Sequence, residues 1–120
     1  MANLPVIDQQ MLLAVNVNHW RWPTINLDHI IYKHCNLVCD SGEFCPMDRP
    51  SLERIVKAVM LYGRIVEHYK YCGKDRYRIA ANFWIPIGFS ASTGEATHKV
   101  TVRYSLEDHR IGTAYPGGVP

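Results

Sequence analysis

Between residues 34 and 45 the sequence HCNLVCDSGEFC gathers one histidine, three cysteines, two acids and a glycine. Thiolate and imidazole are the usual ligands of structural zinc. Cys35 and Cys39, with three residues between them, fall inside the spacing used by zinc knuckles. Cys45, His34 and Cys72 would complete the ligand set, so the segment allows a single structural zinc and asks for no other cofactor. The same thiols also read as small buried hydrophobes, or as partners in a disulfide or redox exchange. The paired C-x-x-C modules that secure a zinc assignment are missing.

A second group of residues points to recognition. From Arg64 to Arg103, seven lysines and arginines stand against three acids. Arg76, Arg78, Lys99 and Arg103 share strand parity with Trp84, a combination that suits single-stranded nucleic acid, where phosphates need cations and bases stack on aromatics. A protein partner is the somewhat better reading, because tryptophan and arginine dominate interface hot spots, and a plain solvated sheet face, with Arg103 lying on Trp84, is the simplest. A third group, Trp20-Arg21-Trp22, is either a recognition corner or a plug over the end of a small core. Catalysis has little to stand on. Asp28-His29, Glu67-His68 and Asp108-His109 are neighbours in sequence only, and no nucleophile elbow, phosphate-cradling glycine loop or H-E-x-x-H is present. The chain is therefore expected not to be an enzyme.

The elements that would carry these residues follow from periodicity. MLLAVNVNHW alternates from Leu13 through Val15 and Val17, the period of a half-buried strand, and Pro23 stops it. LDHIIYK (27–33) suits a second strand or a short helical turn. Asp40-Ser41-Gly42 reads as a turn. A helix is expected from an Asp48 cap, with an apolar stripe at Leu52, Ile55, Val59, Tyr62, Val66 and Tyr69, ending at Cys72-Gly73. A long hairpin closes the chain across residues 92–95. It sets Phe89 against His98, Ile87 against Val100, Ile85 against Val102, Phe83 against Tyr104 and Ala81 against Leu106. Trp84 then faces outward opposite Arg103, and Pro86 marks an edge or a bulge. The expected fold is α+β: a single helix packed on a small antiparallel sheet that ends in a long C-terminal hairpin. Residues 1–113 would form one compact domain and 114–120 a flexible tail.

Bulk properties agree with one folded domain. The chain has 120 residues, 48% hydrophobic and 20% charged, with a net charge of +2. That charge is too small to imply a nucleic-acid or membrane partner by itself. No apolar run approaches the roughly 18 residues of a membrane span. MANLPVIDQQ has no basic start before an apolar stretch, so no secretory leader is expected, and the location is read as a reducing one, cytoplasmic or nuclear. The leading expectation is a non-enzymatic interaction module: an inhibitor, adaptor or self-assembling accessory protein of the kind viruses and phages encode. It would bind another protein or a second copy of itself through Trp20, Arg21, Trp22, Trp84 and Arg103. The alternative is an accessory protein that binds RNA or single-stranded DNA, stabilised by zinc, through Arg76, Arg78, Trp84, Lys99 and Arg103.

Overall fold

A computed structural model of the chain describes residues 3–35 and 42–118. Along the described residues the elements are β1 (Val6–Ile7), α1 (Gln9–Leu13), β2 (Thr24–Ile25), α2 (Leu27–His34), β3 (Glu43–Phe44), α3 (Arg49–Tyr62), β4 (Arg64–Tyr71), β5 (Lys74–Phe83), β6 (Gly88–Phe89), β7 (Ala96–Thr97), β8 (Lys99–Ser105) and β9 (Arg110–Pro116). The expectation of one helix on a small antiparallel sheet is overturned. The described residues are mostly sheet, with a six-stranded, curled, mixed half-barrel, a separate three-stranded sheet and three helices.

The stretch expected to be the first strand is a short helix instead. Asp8 caps it, accepting from the Met11 amide at 2.8 Å, and that local bond competes successfully with the alternating pattern. Leu13 is 64% exposed while Val15 is buried at 3%, so the two do not share a face. Residues 27–33 take the helical option, as α2, with Leu27, Ile30 and His34 buried.

Helix α3 starts where the sequence places it. The Asp48 carboxylate accepts from the Ser51 amide at 2.8 Å, and Pro50 lies in the first turn, where its missing N–H costs nothing. It ends ten residues before the expected stop at Cys72. The Gly63 amide bonds the Val59 carbonyl at 2.8 Å, and its backbone is extended, at φ −74° and ψ 177°. A Cβ at Gly63 would run into the Val59 carbonyl and lie 2.9 Å from the Ala80 carbonyl, so the junction has room for glycine alone. Residues 64–71 then form β4, which folds back on β5 through Cys72-Gly73. Both turn residues have positive φ, 53° and 77°, the geometry of the tightest hairpin turns. Gly73 is left-handed as expected, but in a hairpin rather than past a helix.

In the large sheet β5 is central. One of its sides carries β1 (parallel) and β4 (antiparallel). The other continues through β8 and β9 to β2, which pairs β9 in parallel. The expected hairpin register is also corrected. Ala81 pairs with Val100, not with Leu106, and Tyr104 pairs with Tyr77. Residues 84–87 leave the ladder around Pro86, which has no amide to donate. Beyond them, Phe89 pairs with Ala96 in the small sheet β3-β6-β7. Because the slip is an even number of residues, the buried face survives it: Ile79, Ala81, Phe83, Val100 and Val102 all lie in the core, against Leu52, Ile55, Val56 and Val59 of α3. Residues 114–116, expected to begin a flexible tail, belong to β9, where Ala114 and Tyr115 are buried.

Candidate functional site

The face of the sheet turned away from α3 holds a transverse row of directly opposed residues: Glu67 on β4, Arg78 on β5, Arg103 on β8 and Thr113 on β9. One row along, Tyr69 opposes Arg76. Side chains at opposed positions in a sheet stand about 5 Å apart, so three guanidinium groups from two neighbouring strands converge. They line a cleft of about 500 Å³ together with Tyr69 and Tyr71. Gly112, Thr113 and His29 of α2 line it as well, and α2 packs along β9.

Each arginine lies over a tyrosine ring. Arg76 is 5.6 Å from the centre of Tyr71, Arg78 is 5.3 Å from Tyr69, and Arg103 is 5.8 Å from Tyr115. Such cation–π contacts hold a guanidinium in place without consuming its hydrogen-bond donors. Arg78, 13% exposed, also pairs with Glu67 at 2.9 Å. The side chains of Arg76 and Arg103 make no hydrogen bond or ion pair among the described residues. The Nε atoms of all three arginines and the Tyr115 hydroxyl are buried and unpartnered among those residues. An unpaired buried donor costs about 1–3 kcal/mol, so fold stability does not account for three of them side by side.

Nearby acids are engaged elsewhere. Asp108 is held below the usual carboxylate range, first by the hydrogen bond from Lys74 at 2.9 Å and then by that from Ser105. Asp75 is lowered mainly by its hydrogen bond with His68 at 2.8 Å. Among the described residues Glu67 is therefore the one carboxylate in direct contact with an arginine of the cleft, with Asp108 interacting with Arg76 at longer range, and the cleft keeps a surplus of positive charge.

The residues picked from sequence separate into several places. Arg76, Arg78 and Arg103 are brought together. Arg103 is opposed by Arg78, not by Trp84, because of the register slip. Lys99 sits four positions before Arg103 on β8, with its Nζ beside Gly118. Trp84 lines a different depression with Val6, Phe83 and His98. Trp22 packs on the core, its indole N–H donating to the Asn16 carbonyl and its ring under Lys57 at 5.5 Å. Trp20 is 79% exposed and carries Arg21 at 4.7 Å. The pair is thus half plug and half surface, and neither tryptophan lines the arginine cleft.

The zinc ligand set does not assemble from the described residues. His34 is buried, with Nδ1 3.1 Å from the Gly42 carbonyl and Nε2 3.3 Å from the Thr113 hydroxyl. Cys35 caps α2, Cys45 follows β3, and Cys72 is exposed in the β4–β5 turn. Among the described residues no three histidine, cysteine or carboxylate side chains gather to hold a metal ion. Cys39 and the turn residues Asp40 and Ser41 lie outside the described residues. Also among the described residues, no helix is long and apolar enough to cross a membrane.

Sequence reasoning misses Tyr69, Tyr71 and Glu67 because helical spacing runs on through β4 to Tyr69. The signal was there in Gly63 followed by RIVEHYKY, rich in β-branched and aromatic residues, and closed by a Cys-Gly turn. Comparison of the chain with protein-family models, with curated proteins and with solved structures finds no match.

Proposed function

We propose that this protein binds single-stranded nucleic acid in the arginine–tyrosine cleft of the large sheet. One observation carries the reading: three guanidinium groups converge from β5 and β8, and two of them touch no carboxylate among the described residues. Phosphate oxygens accept from such donors, and Tyr69 and Tyr71 offer faces on which bases stack. Lys99 and Trp84 are not part of this site.

The test is binding of a fluorescent single-stranded oligonucleotide, followed by anisotropy at two salt concentrations. With two or three phosphates neutralised, affinity falls roughly sevenfold to twentyfold between 50 and 200 mM salt. The triple variant Arg76→Ala, Arg78→Ala, Arg103→Ala loses binding. Glu67→Gln removes the competing carboxylate and tightens binding by roughly twofold to fivefold at low salt, an effect limited by the exposure of Glu67. If the triple variant, folded by circular dichroism, binds as the wild type does, the reading is wrong.

A second reading has one specific observation behind it. Beyond β5, strand β4 has no other partner among the described residues, and its Ile65 and Val66 are exposed. An open edge of this kind accepts an added strand from another protein. That interaction is made of backbone bonds and apolar area, so it would scarcely respond to salt.

A further inference from the structure

Resting on the nucleic-acid reading above, we infer that the cleft receives the end of a strand, and specifically a terminal phosphomonoester, in preference to a phosphodiester within the chain. Charge is the first reason. Arg78 is neutralised by Glu67 at 2.9 Å, which leaves Arg103 without a carboxylate partner among the described residues and Arg76 sharing, at longer range, an Asp108 already bonded to Lys74 and Ser105. An internal phosphodiester carries one negative charge, whereas a phosphomonoester carries about 1.5 to 2 near neutral pH and presents three strong acceptor oxygens.

Spacing is the second. Arg103 opposes Arg78, and Arg76 is two residues from Arg78 on the same strand. The three side chains therefore root within about 8 Å of one another, a cluster suited to one group with several oxygens. A track for a passing backbone would instead spread its cations along a line, as Lys99 would have done had it joined the site.

The shape of the cleft is the third. Its volume of about 500 Å³ is that of a small-molecule pocket. On the β9 side the cleft is bordered by α2: His29 lines it, and the same helix is tied to β9 by the His34–Thr113 hydrogen bond. A strand entering from the β4 side meets Tyr69 and Tyr71, and a terminal base stacks there while its phosphate reaches the arginines.

The experiment compares four forms of one short oligonucleotide with the wild-type protein: phosphate at the 5′ end, phosphate at the 3′ end, hydroxyls at both ends, and a covalently closed circle. One of the phosphorylated forms is expected to bind roughly tenfold tighter or more than the hydroxyl-ended and circular forms. That advantage disappears in Arg76→Gln and in Arg103→Gln, two independent variants checked for folding by thermal melting. Equal binding of all four forms overturns the inference and leaves the nucleic-acid reading standing. Binding of none overturns both. A nucleoside monophosphate that competes as well as the phosphorylated oligonucleotide would make the cleft a mononucleotide site, which also overturns strand-end recognition.

Discussion

A guanidinium lying on an aromatic face keeps all five N–H groups directed to its edge, which makes it a poised donor. The three arginine–tyrosine pairs of the cleft share that property. The cysteines differ from one another in the opposite sense. Cys72 is exposed at the tip of the β4–β5 turn, whereas the Cys35 thiol is pushed up to about 11, first by burial and then by the charge of Glu43. The thiolate is the reactive form, and each unit of upward shift leaves tenfold less of it at a pH below both values. Burial thus protects Cys35 at neutral pH, and the protection fades as pH rises towards 11. Alkylation with iodoacetamide, mapped by peptide mass, should label Cys72 first at pH 7.5 and reach Cys35 roughly a hundredfold more slowly. Equal rates at the two sites would show that Cys35 is not held as a thiol.

At the scale of elements, the decisive position is the one where α3 becomes β4. Leu52, Ile55, Val59, Tyr62, Val66 and Tyr69 keep helical spacing across Gly63, but the chain does not. What stops the helix is space, since a side chain at Gly63 would collide with the Val59 and Ala80 carbonyls. Gly63→Ala should therefore lower the melting temperature by about 5–15 °C through overpacking. Gly112→Ala, where a Cβ meets open space, should shift it by no more than about 3 °C. A Gly63→Ala protein as stable as the wild type would mean the junction relaxes freely. The same junction explains what could be read from sequence. The start of α3 and the inner face of β5 and β8 were legible, because a cap, a proline and a residue parity are local signals. Arg76, Arg78 and Arg103 share a sheet face both by sequence parity and in the fold, since an even register slip preserves it. Trp84 and Lys99 were misplaced because the slip changes the partners but not the face. The tyrosines were lost with β4. Two-residue strands such as β1, β2 and β3 leave no periodic trace, as their pairing is decided by neighbours distant in sequence.

At the scale of the whole molecule, residues 3–26 bind the fold together from outside. β1 joins β5 on one side of the sheet and β2 joins β9 at the other, with α1 laid on α3 between them. Two cations of α3 fasten this segment. The Arg54 guanidinium donates to the carbonyls of Leu12, Leu13 and Val15 at 3.2, 3.2 and 2.9 Å. Lys57 donates to the Val17 carbonyl at 2.6 Å. In sequence Lys57 looks like the wet-side partner of Glu53; in the fold it is 6% exposed, and Glu53 is a secondary contact at 3.6 Å. A hydrogen bond from a charged group contributes about 1.5–3 kcal/mol, and removing the donor strands the carbonyl it served. Lys57→Met keeps the apolar stem that packs beside Trp22 and deletes only the charge and its bonds. Combined with Arg54→Ala, it should release the segment from about residue 8 to residue 22 while the sheet, held by its own ladders, stays folded. Limited proteolysis of the double variant should then cut within that segment at temperatures where circular dichroism still reports intact sheet. Affinity for an oligonucleotide should stay within about twofold, because the arginine cleft lies on the opposite face of the sheet from α3. Cuts that appear only when the sheet melts would mean that β1 and β2 alone hold the segment, and that it unfolds as one unit with the sheet. Early cuts accompanied by lost affinity would mean instead that the wrapping segment sets the curl of the sheet, and with it the convergence of the three arginines.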